Sequence, residues 1–117
     1  MNRELKFRAW HRITKEMLYP DHDRQSQVFA WLEEKQPIDL MQFTGLTDKN
    51  GKEIYEDDIM ESIKFCRFRI IWNQEKTRFV AVTNNIFNGK NRYKCMGWAI
   101  KNCVVVGNIF ENPELLK

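Results

Sequence analysis

The sequence predicts a mainly β domain of α+β class with little helix, whose second half forms a small barrel. Three observations support this fold class. Apolar and polar residues alternate from Leu5 to Trp10, which is typical of a half-buried strand. The segment Asp48–Gly51 is a tight reversal, because Asn and Gly accept positive φ at low steric cost. After Glu53, short β-prone runs follow one another at close spacing.

The first half of the chain is predicted to be a β-rich portion, residues 1–52. After the strand at Leu5–Trp10, a second short strand at Met17–Tyr19 ends at Pro20. Residues 27–32 match neither the strand nor the helix period, so a short strand and a helical turn both stay open. From Ile38 onward the pattern predicts a hairpin that turns at Asp48–Gly51 and leads through acidic residues into the next strand.

The second half, residues 53–117, is predicted to contain the barrel and a C-terminal turn. Residues 93–101 stay open between strand and helix, because Gly97 weakens a helix. Asn112 is a good cap for a final helical turn that starts at Pro113. Asn88–Gly89 is a predicted turn. Strands are predicted at Ile59–Phe65, Phe68–Trp72, Phe79–Thr83 and Cys103–Val106.

Three blocks of the sequence carry a distinctive pattern. They are Lys6-Phe-Arg-Ala-Trp10, Met41-Gln-Phe-Thr-Gly-Leu-Thr-Asp-Lys-Asn-Gly-Lys-Glu-Ile-Tyr-Glu-Asp-Asp-Ile59 and Val106-Gly-Asn-Ile-Phe-Glu-Asn-Pro-Glu-Leu-Leu116. Together they resemble the YopX family, which comprises small proteins encoded by phages, prophages and related mobile elements. The blocks follow the family's order and span nearly the whole chain, although Asp57 stands where the family often has Gly. The resemblance implies an N-terminal β-rich portion followed by an SH3-like barrel, in a phage or prophage protein. It implies no activity, because the family's biochemical function is unassigned.

Length and composition indicate one cytoplasmic domain. A chain of 117 residues that is 43% apolar can build one core. No apolar run approaches the roughly 20 residues of a membrane span, and Met1–Lys6 is too charged for a signal peptide. The three cysteines lack Cys-x-x-Cys spacing, which argues against disulfides and favours the reducing cytoplasm of a bacterial host. We therefore expect no contact with a membrane.

Positive charge is concentrated between Lys64 and Lys101, where nine Lys or Arg stand against one acid. Barrels that bind single-stranded nucleic acid combine cations with aromatic residues in this way. Strand alternation places Arg67 and Arg69 on one face and Phe68 on the other, so the cations would contact phosphate without sequence readout. The alternative is a charged face that only keeps the domain soluble. The candidate nucleic-acid-binding residues are Lys64, Arg67, Arg69, Arg78, Lys90, Arg92 and Lys94.

The sequence offers no catalytic set, metal site or cofactor motif. Alternation splits the acidic cluster Glu53–Glu61 between two faces, which favours a solvated strand entry over a divalent cation site. The two histidines and three cysteines show neither zinc-ligand spacing nor a local nucleophile motif. We therefore expect a protein that is not an enzyme.

The aromatic content indicates a binding role. The apolar run Phe29–Leu32 is the candidate partner interface, through Phe29, Trp31 and Leu32, because aromatic residues are enriched where partners bury surface. Packing of the N-terminal portion onto the barrel is the alternative. The sequence thus predicts a non-enzymatic protein-interaction or self-assembly module, with an unknown protein or a second copy as partner. Weak, sequence-nonspecific nucleic-acid binding by the basic face of the barrel is the alternative function.

Overall fold

The computed structural model describes residues 4–20, 25–87 and 90–116, which form two antiparallel sheets with two helices. The predicted mainly β, α+β class is confirmed. The strands are β1 (Phe7–His11), β2 (Glu16–Leu18), β3 (Ile38–Thr47), β4 (Glu53–Tyr55), β5 (Asp58–Ser62), β6 (Arg67–Asn73), β7 (Arg78–Phe87), β8 (Lys90–Cys95) and β9 (Cys103–Asn108). The helices are α1 (Gln25–Glu33) and α2 (Met96–Asn102), and a 3-10 turn covers Pro113–Leu116.

The first sheet has the strand order β2-β1-β3-β4, and α1 packs on β1. Phe7 contacts Phe29 at a ring separation of 6.3 Å, and His11 lies edge-on to Trp31 at 5.2 Å. On the opposite face of β1, Trp10 stacks on Phe110 of the C-terminal segment at 5.7 Å. Residues 27–32, which the sequence left open between strand and helical turn, belong to helix α1. A helix can bury one side against the sheet while its other side stays exposed.

The predicted hairpin at Asp48–Gly51 joins β3 to β4. Oδ1 of Asp48 accepts hydrogen bonds from the amides of Asn50 and Lys52, each at 2.9 Å. Gly51 has φ +83°, the left-handed conformation that the sequence predicts for this turn. Because β4 pairs with β3, the first sheet continues to Tyr55.

The second sheet has the order β8-β7-β6-β5-β9 and curls into a half-barrel. Directly opposed residues share a face. Met60 lies opposite Phe68, and Ile70 lies opposite Ala81, so these four side chains face the core. The open segment 93–101 is divided, with strand as far as Cys95 and helix from Met96. The core cluster consists of Ile54, Met60, Phe68, Ile70, Phe79, Ala81, Met96, Ala99 and Cys103.

One predicted strand is too long. β5 ends at Ser62, and the residues that follow form a turn in place of the expected strand to Phe65. The hydroxyl of Ser62 accepts the amide of Cys66 at 3.2 Å, and the amide of Phe65 donates to the Ser62 carbonyl at 2.9 Å. These bonds turn the chain, although Ile63 and Phe65 between them are β-prone residues. The predicted turn Asn88–Gly89 lies outside the described residues.

Candidate functional site

The three sequence blocks meet at a cavity of about 430 Å³ between the edge strands β4 and β9. The first block contributes Arg8, the second contributes Tyr55 and Asp58, and the third contributes Asn108 and Asn112. A volume of this size lies in the range of small-molecule sites. Its polar side chains, however, are largely engaged with the protein itself.

A buried ion pair forms one wall of this cavity. Nη2 of Arg8 lies 2.9 Å from Oδ1 of Asp58, and both side chains are nearly inaccessible, at 2% and 3% exposure. The Arg8 guanidinium also donates to the Glu56 carbonyl at 3.0 Å and lies 4.8 Å from the Tyr55 ring centre. Burial raises the pKa of Asp58, while Arg8 and the Tyr55 amide oppose that shift. The ion pair therefore connects β1 to β5, and its two charged groups bind each other inside the protein.

Side-chain oxygens also satisfy the backbone where the two sheets meet. The Tyr55 amide donates to Asp58 at 2.7 Å, the Val105 amide to Asp48 at 2.9 Å, and the Asn108 amide to Asn112 at 3.2 Å. Burial opposes the ionisation of Asp48, but the amides of Val105, Lys52 and Asn50 outweigh it and lower the Asp48 pKa. Buried amides at sheet edges need such acceptors. The polar residues around the cavity thus serve first of all to connect the two sheets.

The acidic segment has more structural roles than the sequence indicates. Asp58 is buried, not solvated. Asp57 adopts φ +67° and accepts Nε and Nη2 of Arg69, at 3.1 and 2.9 Å. Glu61 lies 3.8 Å from Nε of Arg67. Acidic residues here thus pair with Arg67 and Arg69 of the basic half.

The candidate nucleic-acid-binding residues do not share one face. Arg69 lies opposite Val82, whereas Lys94 lies opposite Ala81, so the two cations project from opposite sides of the second sheet. Arg67 donates to the Leu115 carbonyl at 2.9 Å, and Arg78 is exposed at the start of β7. Lys64 is exposed in the β5–β6 turn. The side chains of Lys90 and Arg92 lie outside the described part of the structure.

The candidate partner interface is partly exposed. Phe29 and Leu32 are 45% and 50% exposed, and their spacing of three residues puts them on the same side of α1. Trp31 is half-buried against His11. The contact of Trp31 therefore lies on β1, within the N-terminal portion, whereas the predicted alternative was packing of that portion onto the barrel. Phe29 and Leu32 form a partly exposed apolar face.

Sequence reasoning missed the surface that we call the tip groove: Ile63, Lys64, Phe65, Lys94 and Trp98. Ile63 and Phe65 are 76% and 80% exposed in the β5–β6 turn. Two cavities of about 270 and 350 Å³ are both lined by Lys64 and Trp98. The β-prone run Ile59–Phe65 predicted a strand as far as Phe65, and only the turn reveals that Ile63 and Phe65 are exposed.

Neither metal coordination nor disulfide bonding is evident in the residues that the structure describes. Cys66, Cys95 and Cys103 are free thiols, and burial raises the pKa of Cys103. Within the described ranges, no three His, Cys, Asp or Glu residues are grouped to hold a metal ion. Of the helices in the same ranges, none is long and apolar enough to cross a membrane.

This architecture defines a β-rich α+β protein in which a short sheet is tied to a curled half-barrel by buried polar contacts. The chain belongs to the YopX protein family, whose sequence model matches residues 6–117. Its fold is similar to the crystal structure of protein EF1440 from Enterococcus faecalis, with a TM-score of 0.68 and 28% identity. That similarity covers 99% of this chain and 100% of the other. No curated protein matches the chain.

Proposed function

We propose that this protein is a non-enzymatic protein-interaction module whose contact surface is the tip groove. The observation that carries the proposal is the conformation of Phe65. Its φ of +62° is left-handed, which costs a non-glycine residue roughly 1–2 kcal/mol, and its ring is 80% exposed. The other described non-glycine residues with positive φ are all polar: Lys15, Lys35, Asp57 and Thr77.

The exposed ring of Phe65 does not pack in the core, and the left-handed backbone that carries it is strained, so neither feature stabilises the fold. Strain of this kind is characteristic of functional segments, where the surrounding structure imposes it. Here the hydrogen bonds of Ser62 hold the turn, and Ile63 adds a second exposed apolar side chain to the same turn. Burial of both side chains by a partner would supply the favourable contact that the isolated fold lacks.

The non-enzymatic part of the proposal is supported by the contacts of the carboxylates that line the cavity between β4 and β9. Asp58 forms an ion pair with Arg8, and the side-chain amide of Asn108 donates a hydrogen bond to the Glu111 carboxylate at 2.8 Å. These carboxylates serve the fold. Family membership supports the further proposal of an accessory protein of a phage or prophage that acts in the host cytoplasm. The α1 face, with Phe29 and Leu32, is the second candidate contact and the one that would serve self-assembly.

Weak nucleic-acid binding is the second candidate function. It is favoured by Lys64 and Lys94, which are exposed and lie close to the aromatic residues of the tip groove. Arg67 and Arg69 support it less, because each is already placed beside a carboxylate. The phosphate-binding face would then be the one that carries Lys94, and not the face of Arg69 that the sequence predicted.

Replacement of Phe65 by asparagine tests the proposed function. Asn tolerates left-handed φ and removes an exposed apolar ring, so the free energy of unfolding should rise by about 0.5–1 kcal/mol. Co-purification of a partner from the source organism should be lost in the same variant. Urea denaturation followed by tryptophan fluorescence measures the first effect, and affinity capture at native expression level measures the second. Retention of the captured proteins in the stabilised variant would refute the proposal.

A further inference from the structure

We infer that the tip groove binds an acidic segment of a partner protein, which inserts one large apolar side chain beside Trp98. This inference rests on the proposed function and names the chemistry of the partner. It uses three observations: the charge of the groove, the shape of the cavities, and the contacts already made by the Trp98 ring.

The groove is positively charged. Lys64 lines both cavities and Lys94 lines one, and the described lining residues of the two cavities include no acid. The sequence around them is also free of acids, from Ser62 to Cys66 and from Tyr93 to Cys103. Lys101 follows Trp98 by three residues, so it lies on the same side of α2. A partner of complementary charge is therefore acidic.

The cavities fit a side chain. Phe68 and Trp98 form the apolar wall of the 270 Å³ cavity, and Ser62 and Thr83 border it. Apolar anchors that enter such pockets provide most of the affinity in protein interfaces, whereas surrounding charges set specificity. An extended segment with one aromatic or large aliphatic residue between Asp or Glu residues matches both features.

Two other occupants fit less well. A second copy bound through the same surface would bring Lys64 and Lys94 close to their symmetry mates, because a two-fold interface is self-complementary. Stacking of successive nucleic-acid bases needs several open aromatic faces, whereas the tip groove has two aromatic rings, of which Phe65 is 80% exposed. The Trp98 ring already packs edge-to-face with Phe68 at 5.4 Å and carries the Lys94 ammonium 4.9 Å from its centre.

Selection from a random peptide library displayed on phage, with the full chain as bait, tests the inference. We expect enriched peptides to carry Asp or Glu around one Phe, Trp, Leu or Ile. A synthesised member should bind about tenfold or more weakly to Lys64→Glu, and its affinity should fall as salt rises. The matched control is Lys76→Glu, which makes the same charge change in the β6–β7 turn and should alter affinity less than about twofold.

The outcomes separate this inference from the proposed function. Enriched peptides that lack acids but lose affinity for Ile63→Ser would overturn the acidic partner and leave the tip groove as a contact surface. Peptides that bind both Ile63→Ser and Lys64→Glu like the native chain would overturn both, as would a selection without enrichment. Fluorescence anisotropy of labelled single-stranded DNA gives the remaining arm. Tighter binding of DNA than of the acidic peptide, lost in Lys64→Glu, would overturn the inference in favour of nucleic acid.

Discussion

Replacement of Asp58 by alanine should lower the free energy of unfolding by about 3–5 kcal/mol. The substitution leaves the buried Arg8 guanidinium without its carboxylate and the Tyr55 amide without its acceptor. Because domains are stable by only about 5–15 kcal/mol, the midpoint of thermal unfolding should fall by about 10–20 °C. Chemical and thermal denaturation followed by tryptophan fluorescence measure both quantities.

Two variants provide controls for this prediction. Asp39→Ala removes an exposed partner of Arg12 at 3.2 Å and should cost less than about 1 kcal/mol. The double change Arg8→Met with Asp58→Asn removes both charges and keeps an oxygen for the Tyr55 amide, so it should recover much of the loss. If Asp58→Ala were no more harmful than Asp39→Ala, the ion pair could not be the joint between β1 and β5.

Replacement of Asp48 by alanine should cost about 3 kcal/mol, because three backbone amides lose a charged acceptor. Two of these amides, Asn50 and Lys52, shape the hairpin, and the third belongs to Val105 in β9. Asp48→Asn should have an intermediate effect, since one oxygen can still accept hydrogen bonds from the hairpin amides. Equal stability of Asp48→Ala and the native chain in urea would show that these bonds do not hold the two sheets together.

Asp48 also determines part of the response to acid. Its pKa in the folded chain lies below the ordinary value of 3.8, so its ionised form stabilises the fold. That contribution is complete above the ordinary pKa and disappears as the pH falls through the lower, folded-state pKa. In a plot of the free energy of unfolding against pH, we expect Asp48→Asn to reduce the loss of stability below the ordinary pKa of 3.8.

The sequence was sufficient for features that depend on neighbouring residues. The Asp48–Gly51 reversal and the opposite faces of Arg69 and Phe68 follow from turn chemistry and local periodicity. The same periodicity predicts the first strand, although the structure places it at Phe7–His11 and buries both of its faces where a half-buried strand was predicted. The class of the fold follows from their sum. In each case the preference of the residues and the packing of the sheet agree.

Features that depend on pairing between distant strands could not be predicted. The Arg8–Asp58 pair joins residues 50 positions apart, and no local pattern distinguishes a buried Asp58 from an exposed one. The cations between Lys64 and Lys101 form no single patch, because register assigns Lys94 and Arg69 to opposite faces. The β-prone run Ile59–Phe65 favoured a strand to its end, but the hydrogen bonds of Ser62 produce a turn after that residue.

The central claim is that the tip groove is the contact surface. The measurement that tests it most directly is calorimetric titration of the partner captured by the native chain, once purified, against two serine variants. Ile63 and Ile13 are 76% and 75% exposed, in the β5–β6 and β1–β2 turns, so Ile13→Ser is a matched control. We predict about tenfold or more weaker binding for Ile63→Ser and a change of less than about twofold for Ile13→Ser. Equal affinity of the two variants for the partner would contradict the tip groove as the contact surface.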